Sequence, residues 1–235
     1  MFKYIIFFII NKMKLASLFS GGKDSVYSSY IVQKQRHEVV CLITILSENR
    51  ESYMFHTPSV EKTKNQSKAM NIPIIIQKTK GEKEEELKDL EKAIKKAIKK
   101  YKIEGIVTGA IKSVYQSSRI QSICDKLNIK CINPLWQINE LNYINDLIKN
   151  KFKVIITGVF AYPLNQSWLG KEINKEFIQE IIKMNEKYKI HIAGEGGEYE
   201  SFVLDCPLFS KPLKIKSFKD NKEGENSWRR EIEIE

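Results

Sequence analysis

LASLFSGGKDSVYSSYI, residues 15–31, decides the architecture. It opens with an apolar run of strand length, passes through two adjacent glycines, and continues with the polar start and apolar spacing of a helix. That order of strand, glycine turn and helix start matters more than the hexapeptide Ser20-Gly21-Gly22-Lys23-Asp24-Ser25 by itself. Two neighbouring glycines let the main chain approach an anion and adopt angles closed to other residues. The exposed N–H groups of the following helix, together with its dipole, then hold negative phosphate. Ser20 and Ser25 can donate hydroxyl hydrogen bonds to phosphate oxygens, Lys23 supplies a charge, and Asp24 can help to hold Mg²⁺. The loop is not a Walker A motif, because Ser17 and Asp24 stand where that motif needs Gly and Ser or Thr.

Outward from the loop, short β-branched runs alternate with amphipathic stretches, the pattern of an α/β fold in which a parallel sheet carries helices on both faces. Strands are predicted at 15–19, 39–47, 72–77, 105–109 and 154–159. A helix is predicted over 82–101, where Leu87, Leu90, Ile94, Ile98 and Tyr101 recur at three- and four-residue spacing. Others are predicted over 116–127, with Ile120, Ile123, Cys124 and Leu127 on one face, and over 174–188. Beyond Pro134 the texture changes, and Trp136, Pro163, Trp168 and the cluster Gly194, Gly196, Gly197 fall in loops between shorter elements. A boundary near Ile132 therefore separates a nucleotide-type domain, 13–132, from a smaller α+β C-terminal domain, 133–235. The latter ends in a β-hairpin about the polar turn 220–226.

With 235 residues, 42% of them hydrophobic and 10% aromatic, the chain can bury a sizeable core. The formal charge of +10 raises the question of an anionic partner. Its lysines are spread along the chain with much isoleucine and asparagine rather than focused in a patch, so no stable nucleic-acid partner is expected. Cys41, Cys124, Cys131 and Cys206 lie far apart, without CxxC or a histidine at metal-ligand spacing, which encodes neither a zinc site nor a redox pair. Cys41 and Cys124 read as small core hydrophobes, suited to a reducing cytoplasm. The opening MFKYIIFFII is shorter than the about 20 apolar residues a bilayer span takes. Secretory cleavage near Ala16 would remove half of the first strand. Residues 1–12 are expected to be an upstream extension or a disordered tag, with Met13 a self-sufficient start and no membrane association.

SGGKDS after the first strand, with VVCLITIL as the second (residues 39–46), resembles the pyrophosphate loop of the N-type ATP pyrophosphatases. Further stretches narrow the likeness: SENRESYMFHTP (47–58), GEKEEEL (81–87), VTGAIKSVYQSSRI (107–120), PLW (134–136), SWLG (167–170) and AGEGGEYESFVLDCPLF (193–209). From Met13 to about Phe209 the chain resembles the diphthine-ammonia ligase family. That resemblance implies an adenine nucleotide alpha hydrolase-like fold. It also implies a cytoplasmic reaction in which ATP, ammonium and diphthine on elongation factor 2 give diphthamide, AMP and pyrophosphate. Such chemistry suits the residues: a carboxylate becomes electrophilic once adenylated, and catalysis is then mainly positioning and charge stabilisation. Lys23 and Asp24 are the expected catalytic residues, with Ser20, Gly21, Gly22, Ser25 and Arg119 binding ATP and pyrophosphate, and Asp24 holding Mg²⁺.

Gly194-Glu195-Gly196-Gly197-Glu198-Tyr199-Glu200 packs glycines and carboxylates into a short loop that can bind a cation, and diphthine carries a trimethylammonium group. Carboxylate charge with the face of Tyr199 is the expected receptor. Tyr115 and Gln116 follow a predicted strand end, where open α/β sheets bind ligands, and join them as substrate-binding candidates. His56 is a weaker nucleotide candidate. No histidine nucleophile is required, and His37 and His191 carry no expected role. Asn165 and Gln166 stand where the family usually has an acidic pair, and Lys171 where arginine is common, which alters the charge of that loop. A tRNA-modifying pyrophosphatase is disfavoured by the missing cysteine pair, and a glutaminase-bearing amidotransferase by the lack of room for that domain. Free ammonium is therefore the implied nitrogen source. A nucleotide sensor without chemistry is opposed by the complete loop.

Overall fold

The computed structural model describes residues 11–48, 62–82 and 85–235. Five parallel strands, β1 (Lys14–Leu18), β2 (Glu38–Ser47), β3 (Ile74–Thr79), β4 (Gly105–Val107) and β5 (Lys130–Ile132), form one sheet in the order β3-β2-β1-β4-β5. The chain works outward from β1 to β3, then crosses back to lay β4 on the other side of β1. Strand order reverses between β1 and β4, and their carboxyl ends open a crevice there. Four helices, α1 (Lys23–Lys34), α2 (Thr63–Met70), α3 (Glu85–Tyr101) and α4 (Val114–Lys126), connect these strands.

A parallel sheet is buried on both faces, which explains why EVVCLITILS is apolar almost without interruption. Leu15 and Leu42 join Val26, Tyr27 and Val32 of α1 on one face. Ala16, Cys41 and Ile43 join Leu90, Ile94 and Ala97 of α3 and Ile120, Ile123 and Cys124 of α4 on the other. Cys41 and Cys124 are fully buried, as their apolar settings suggested, and burial pushes the Cys41 thiol to about 12.

The second half supplies α5 (Glu140–Lys149), β6 (Lys153–Val159), α6 (Lys175–Tyr188), β7 (Tyr199–Asp205), β8 (Ile215–Gly224) and β9 (Ser227–Ile234). The strands form an antiparallel sheet in the order β7-β6-β9-β8. The expected terminal hairpin is β8 and β9, but its turn is only residues 225–226: 220–224, expected to be part of the turn, belong to β8, which closes on β9 at Gly224↔Ser227. The largest apolar cluster joins α1 and β1 to Tyr143, Ile144 and Leu147 of α5, Val154 and Ile156 of β6 and Phe177 of α6. One core therefore runs through both halves.

The sequence reading omitted α2, β5, α5 and β7. The strand expected to reach residue 109 stops at Val107, because Gly109 sits against the start of α1, where a Cβ would come within 2.9 Å of the Asp24 carbonyl carbon. The helix expected from residue 116 begins at Val114, where Ser113 caps it by accepting from the Gln116 N–H at 3.3 Å. His56 and most of the stretch 47–58 lie outside the described residues. Among the described residues no helix is long and apolar enough to cross a membrane.

Candidate active site

The crevice at the ends of β1 and β4 is a cleft of about 410 Å³, roofed by the turn that leads into β7. The phosphate-type loop and the glycine-rich loop, far apart in sequence, both line it. A second concavity, about 380 Å³ between Gly170, Phe218 and Arg230, contains none of these loop residues.

Gly21 has φ +81°, and a Cβ there would lie 2.3 Å from Gln66 Oε1. Gln66 is buried, and its Nε2 donates to Gly21 O at 2.9 Å and to Val203 O at 2.8 Å. The same amide thus ties the loop to β7. Gly22 caps α1 without a side chain, and the Lys23 N–H donates to Ser201 Oγ of β7 at 3.2 Å. Ser25 Oγ lies 3.2 Å from Ser20 Oγ and donates to Gly22 O at 3.1 Å, fixing the loop's curvature. A helix N-terminus without a side-chain cap, flanked by two hydroxyls and a lysine, can receive an anion.

Lys23 is only 3% exposed; its Nζ sits 3.0 Å from Asp24 Oδ2 and 5.2 Å from the Tyr199 ring centroid. Asp24 Oδ1 accepts from Tyr143 OH at 2.8 Å. Burial, then the Asp24 charge, raises the Tyr143 hydroxyl well above its ordinary range, so it remains a donor.

Of the loop acids, Glu195 Oε1 accepts from the main-chain N–H groups of Lys112 and Ser113 at 2.8 and 3.0 Å, clamping the C-terminal half to the start of α4. Glu198 Oε1 accepts from the His191 N–H at 2.9 Å. Glu200 lines the cleft, 3.9 Å from Arg229 Nη1, and burial pushes its carboxyl up to about 8 against the pull of Arg229. Gly196 and Gly197 line the cleft with Glu195 and Glu200, whereas Glu198 does not. The Tyr199 face expected to receive a ligand cation is turned to Lys23, and its hydroxyl donates to Ile192 O at 2.6 Å. The cation that ring meets is the chain's own.

Gln116 lines the cleft, whereas Tyr115 and Arg119 stand outside it, the guanidinium stacked 3.5 Å from the Tyr115 ring centroid. The loop with Asn165, Gln166 and Lys171 is also outside: Asn165 accepts from the Ser167 N–H, Lys171 pairs with Glu180, and Gly170 lies under Arg230. The charge changes noted there do not touch the cleft. Sequence reasoning missed His191 and Glu140. His191 Nδ1 accepts from the Ala193 N–H at 3.2 Å, which leaves the ring proton on Nε2, 2.7 Å from Glu140 Oε1. Glu140 also takes Lys112 Nζ at 2.6 Å and the Ile192 N–H at 3.2 Å, so the pair props the glycine loop from behind.

Residues 13–131 match the family model described as diphthamide synthase N-terminal domain, and residues 139–234 the one described as diphthamide synthase C-terminal domain. The diphthine-ammonia ligase of Mus musculus is 34% identical over 224 residues, covering 87% of this chain and 84% of that one. The Homo sapiens protein of that name is 33% identical over 227 residues, with coverage of 87% and 84%. The Schizosaccharomyces pombe protein is 31% identical over 219 residues, which are 86% of this chain and 36% of that longer one.

Proposed function

We propose a function from one premise: the chain belongs to the diphthamide synthase family. It is a ligase that forms a carbon–nitrogen bond between the carboxylate of diphthine and ammonia, driven by ATP. The supporting observation is that the anion-ready loop of one half and the acidic glycine loop of the other wall a single cleft.

In this reading residues 13–132 hold the nucleotide and 133–235 the acceptor. The amides at the start of α1, with Ser20, Ser25 and Lys23, hold the phosphates so that the diphthine carboxylate meets the α phosphorus in line. Lys23, held in place by Asp24 and the Tyr199 ring, balances the charge that builds on departing pyrophosphate. The resulting acyl adenylate is attacked by ammonia, and AMP leaves. Among the described residues no cluster of three or more metal-binding side chains occurs. Asp24 alone suits Mg²⁺, which takes one or two carboxylates with substrate phosphates and water, and its oxygens keep lone pairs beyond those given to Lys23 and Tyr143. Mg²⁺ held there would neutralise pyrophosphate charge. The acceptor's trimethylammonium group lies along Gly194–Gly197 and the carboxylates beside them. The protein substrate is elongation factor 2 bearing diphthine, the nitrogen source is free ammonium, and the compartment is the cytoplasm.

The test is ATP–pyrophosphate exchange with the purified chain. Exchange should require diphthine-bearing elongation factor 2, proceed without ammonium, and not be supported by tRNA; adding ammonium should give diphthamide, seen by peptide mass. Exchange that needs tRNA, or no amide product, overturns the reading.

A further inference from the structure

We propose that Glu200 takes the proton that ammonium must lose before its nitrogen can attack. The proposal rests on the ligase reading and deepens it. Ammonium has no lone pair, so an acyl adenylate waits until a base in the cleft makes ammonia.

Position and hydrogen bonding separate the three glutamates of the glycine-rich segment. Glu195 is committed to the amides of Lys112 and Ser113, and Glu198, which accepts from the His191 N–H, does not line the cleft. Glu200 remains. It lines the cleft, and its buried Oε2 has no hydrogen-bond partner among the described residues, Arg229 Nη1 being 3.9 Å away. Lys23, whose charge acts on this carboxyl, lines the same cleft with Ser20 and Ser25, which sets Glu200 in one space with the phosphate loop where the adenylate forms. Arg229 of β9, Glu223 of β8 and Lys23 of α1 face it. Burial is the largest influence and raises the carboxyl to about 8, with Glu223 adding to the rise and Arg229 and Lys23 opposing it. A base of that strength accepts from ammonium more readily than a solvated carboxylate does, and a cation brought to the carboxyl from the cleft lowers the cost of ionising it there.

Glu200, protonated at rest in the neutral range, releases that proton to water as ammonium enters as the counter-ion of its carboxylate. One N–H proton passes to a carboxylate oxygen, leaving ammonia and a neutral acid. The nitrogen lone pair forms the bond to the acyl carbon, and the carbon–oxygen bond to AMP breaks with its electron pair on the phosphate oxygen. The extra proton on the new amide nitrogen passes to water, as later does the one on Glu200.

Hydroxylamine is largely uncharged near neutral pH and needs no such base. The full chain with ATP and diphthine-bearing elongation factor 2 is given ammonium and hydroxylamine in competition, and amide and hydroxamate are counted by mass. Glu200→Gln should raise the hydroxamate-to-amide ratio by about 100-fold, the usual scale of a lost proton acceptor. Glu200→Asp, which keeps a carboxylate, should fall between Gln and wild type. A ratio within about threefold of wild type in Glu200→Gln, an Asp variant no different from Gln, or a Gln variant that makes neither product would each overturn the proposal. Failure of the ligase reading would show separately, as wild-type chain that exchanges no pyrophosphate with the factor present.

Discussion

The hydroxyl of Tyr143 donates to Oδ1 of Asp24 at 2.8 Å, joining residues 119 positions apart. Asp24 is thereby held between a buried phenol of the second half and Lys23 of its own loop. Tyr143→Phe keeps the ring in the core and removes only the donor. A hydrogen bond to a charged group is worth about 1.5–3 kcal/mol, and cleft water recovers part of it, so thermal denaturation should show a loss of about 1–2 kcal/mol. Pyrophosphate release should fall about tenfold as Asp24 swings from position. Unchanged release would mean that Asp24 needs no such support.

Lys23 is almost wholly buried, so Lys23→Ala would leave a hole as well as remove a charge. Lys23→Met separates the two. It should fold with a melting temperature close to wild type and lose pyrophosphate release by roughly 100-fold or more, the scale of one lost electrostatic donor. Asp24→Ala should be similarly inactive while circular dichroism stays native. Activity within a fewfold of wild type would remove the loop from the chemistry.

Gly21→Ala meets both a positive φ of 81° and a Cβ position 2.3 Å from Gln66 Oε1. The expected cost is about 1–3 kcal/mol, measured by denaturant unfolding. Gln66→Ala also destabilises, because the carbonyls of Gly21 and Val203 lose a shared donor. Combined, the two should cost clearly less than their sum, since the second removes the atom the first strikes. Strict additivity would show that the contact with Gln66 is not the source of the penalty.

Glu200 gives stability a pH dependence of known sign. Its carboxyl is raised from 4.5 to about 8 in the folded chain. Between those values the unfolded chain has released a proton that the folded chain still holds, so this group makes folding weaker as pH rises. Thermal denaturation from pH 5 to 9 should therefore show Glu200→Gln gaining on wild type as pH increases, with the gain levelling off above about 8. Parallel curves for the two proteins would place the Glu200 carboxyl near its ordinary value.

The phosphate-type loop was legible because strand, glycines and helix start are contiguous, and its geometry depends on local backbone freedom. The helix α3 was legible from its apolar stripe. By contrast α5 was passed over, although Asn139 caps it by accepting from the Asn142 N–H and Tyr143, Ile144 and Leu147 keep helical spacing. Those signals were outweighed by the aromatic and proline texture around them. The role of Glu195 was not readable at all, because the amides it accepts from lie 82 and 83 residues away. The same holds for His191 and Glu140, whose contact exists only once α5 and the glycine loop have docked. Tyr199 misled for a related reason: sequence shows an aromatic face but not that Lys23 already covers it.

The apolar cluster that threads α1, α5, β6 and α6 bears on how this scaffold can be dissected. A cut between β5 and α5 would divide this cluster between the two fragments, so co-expressed fragments should reassemble by complementation while either alone fails to hold its shape. Grafting a foreign C-terminal half onto the N-terminal half would meet the same obstacle, a mismatched interior rather than a mismatched surface. Altered recognition is accordingly better sought by single exchanges of cleft-lining side chains such as Gln116 than by replacing the turn whose Glu195 holds the start of α4.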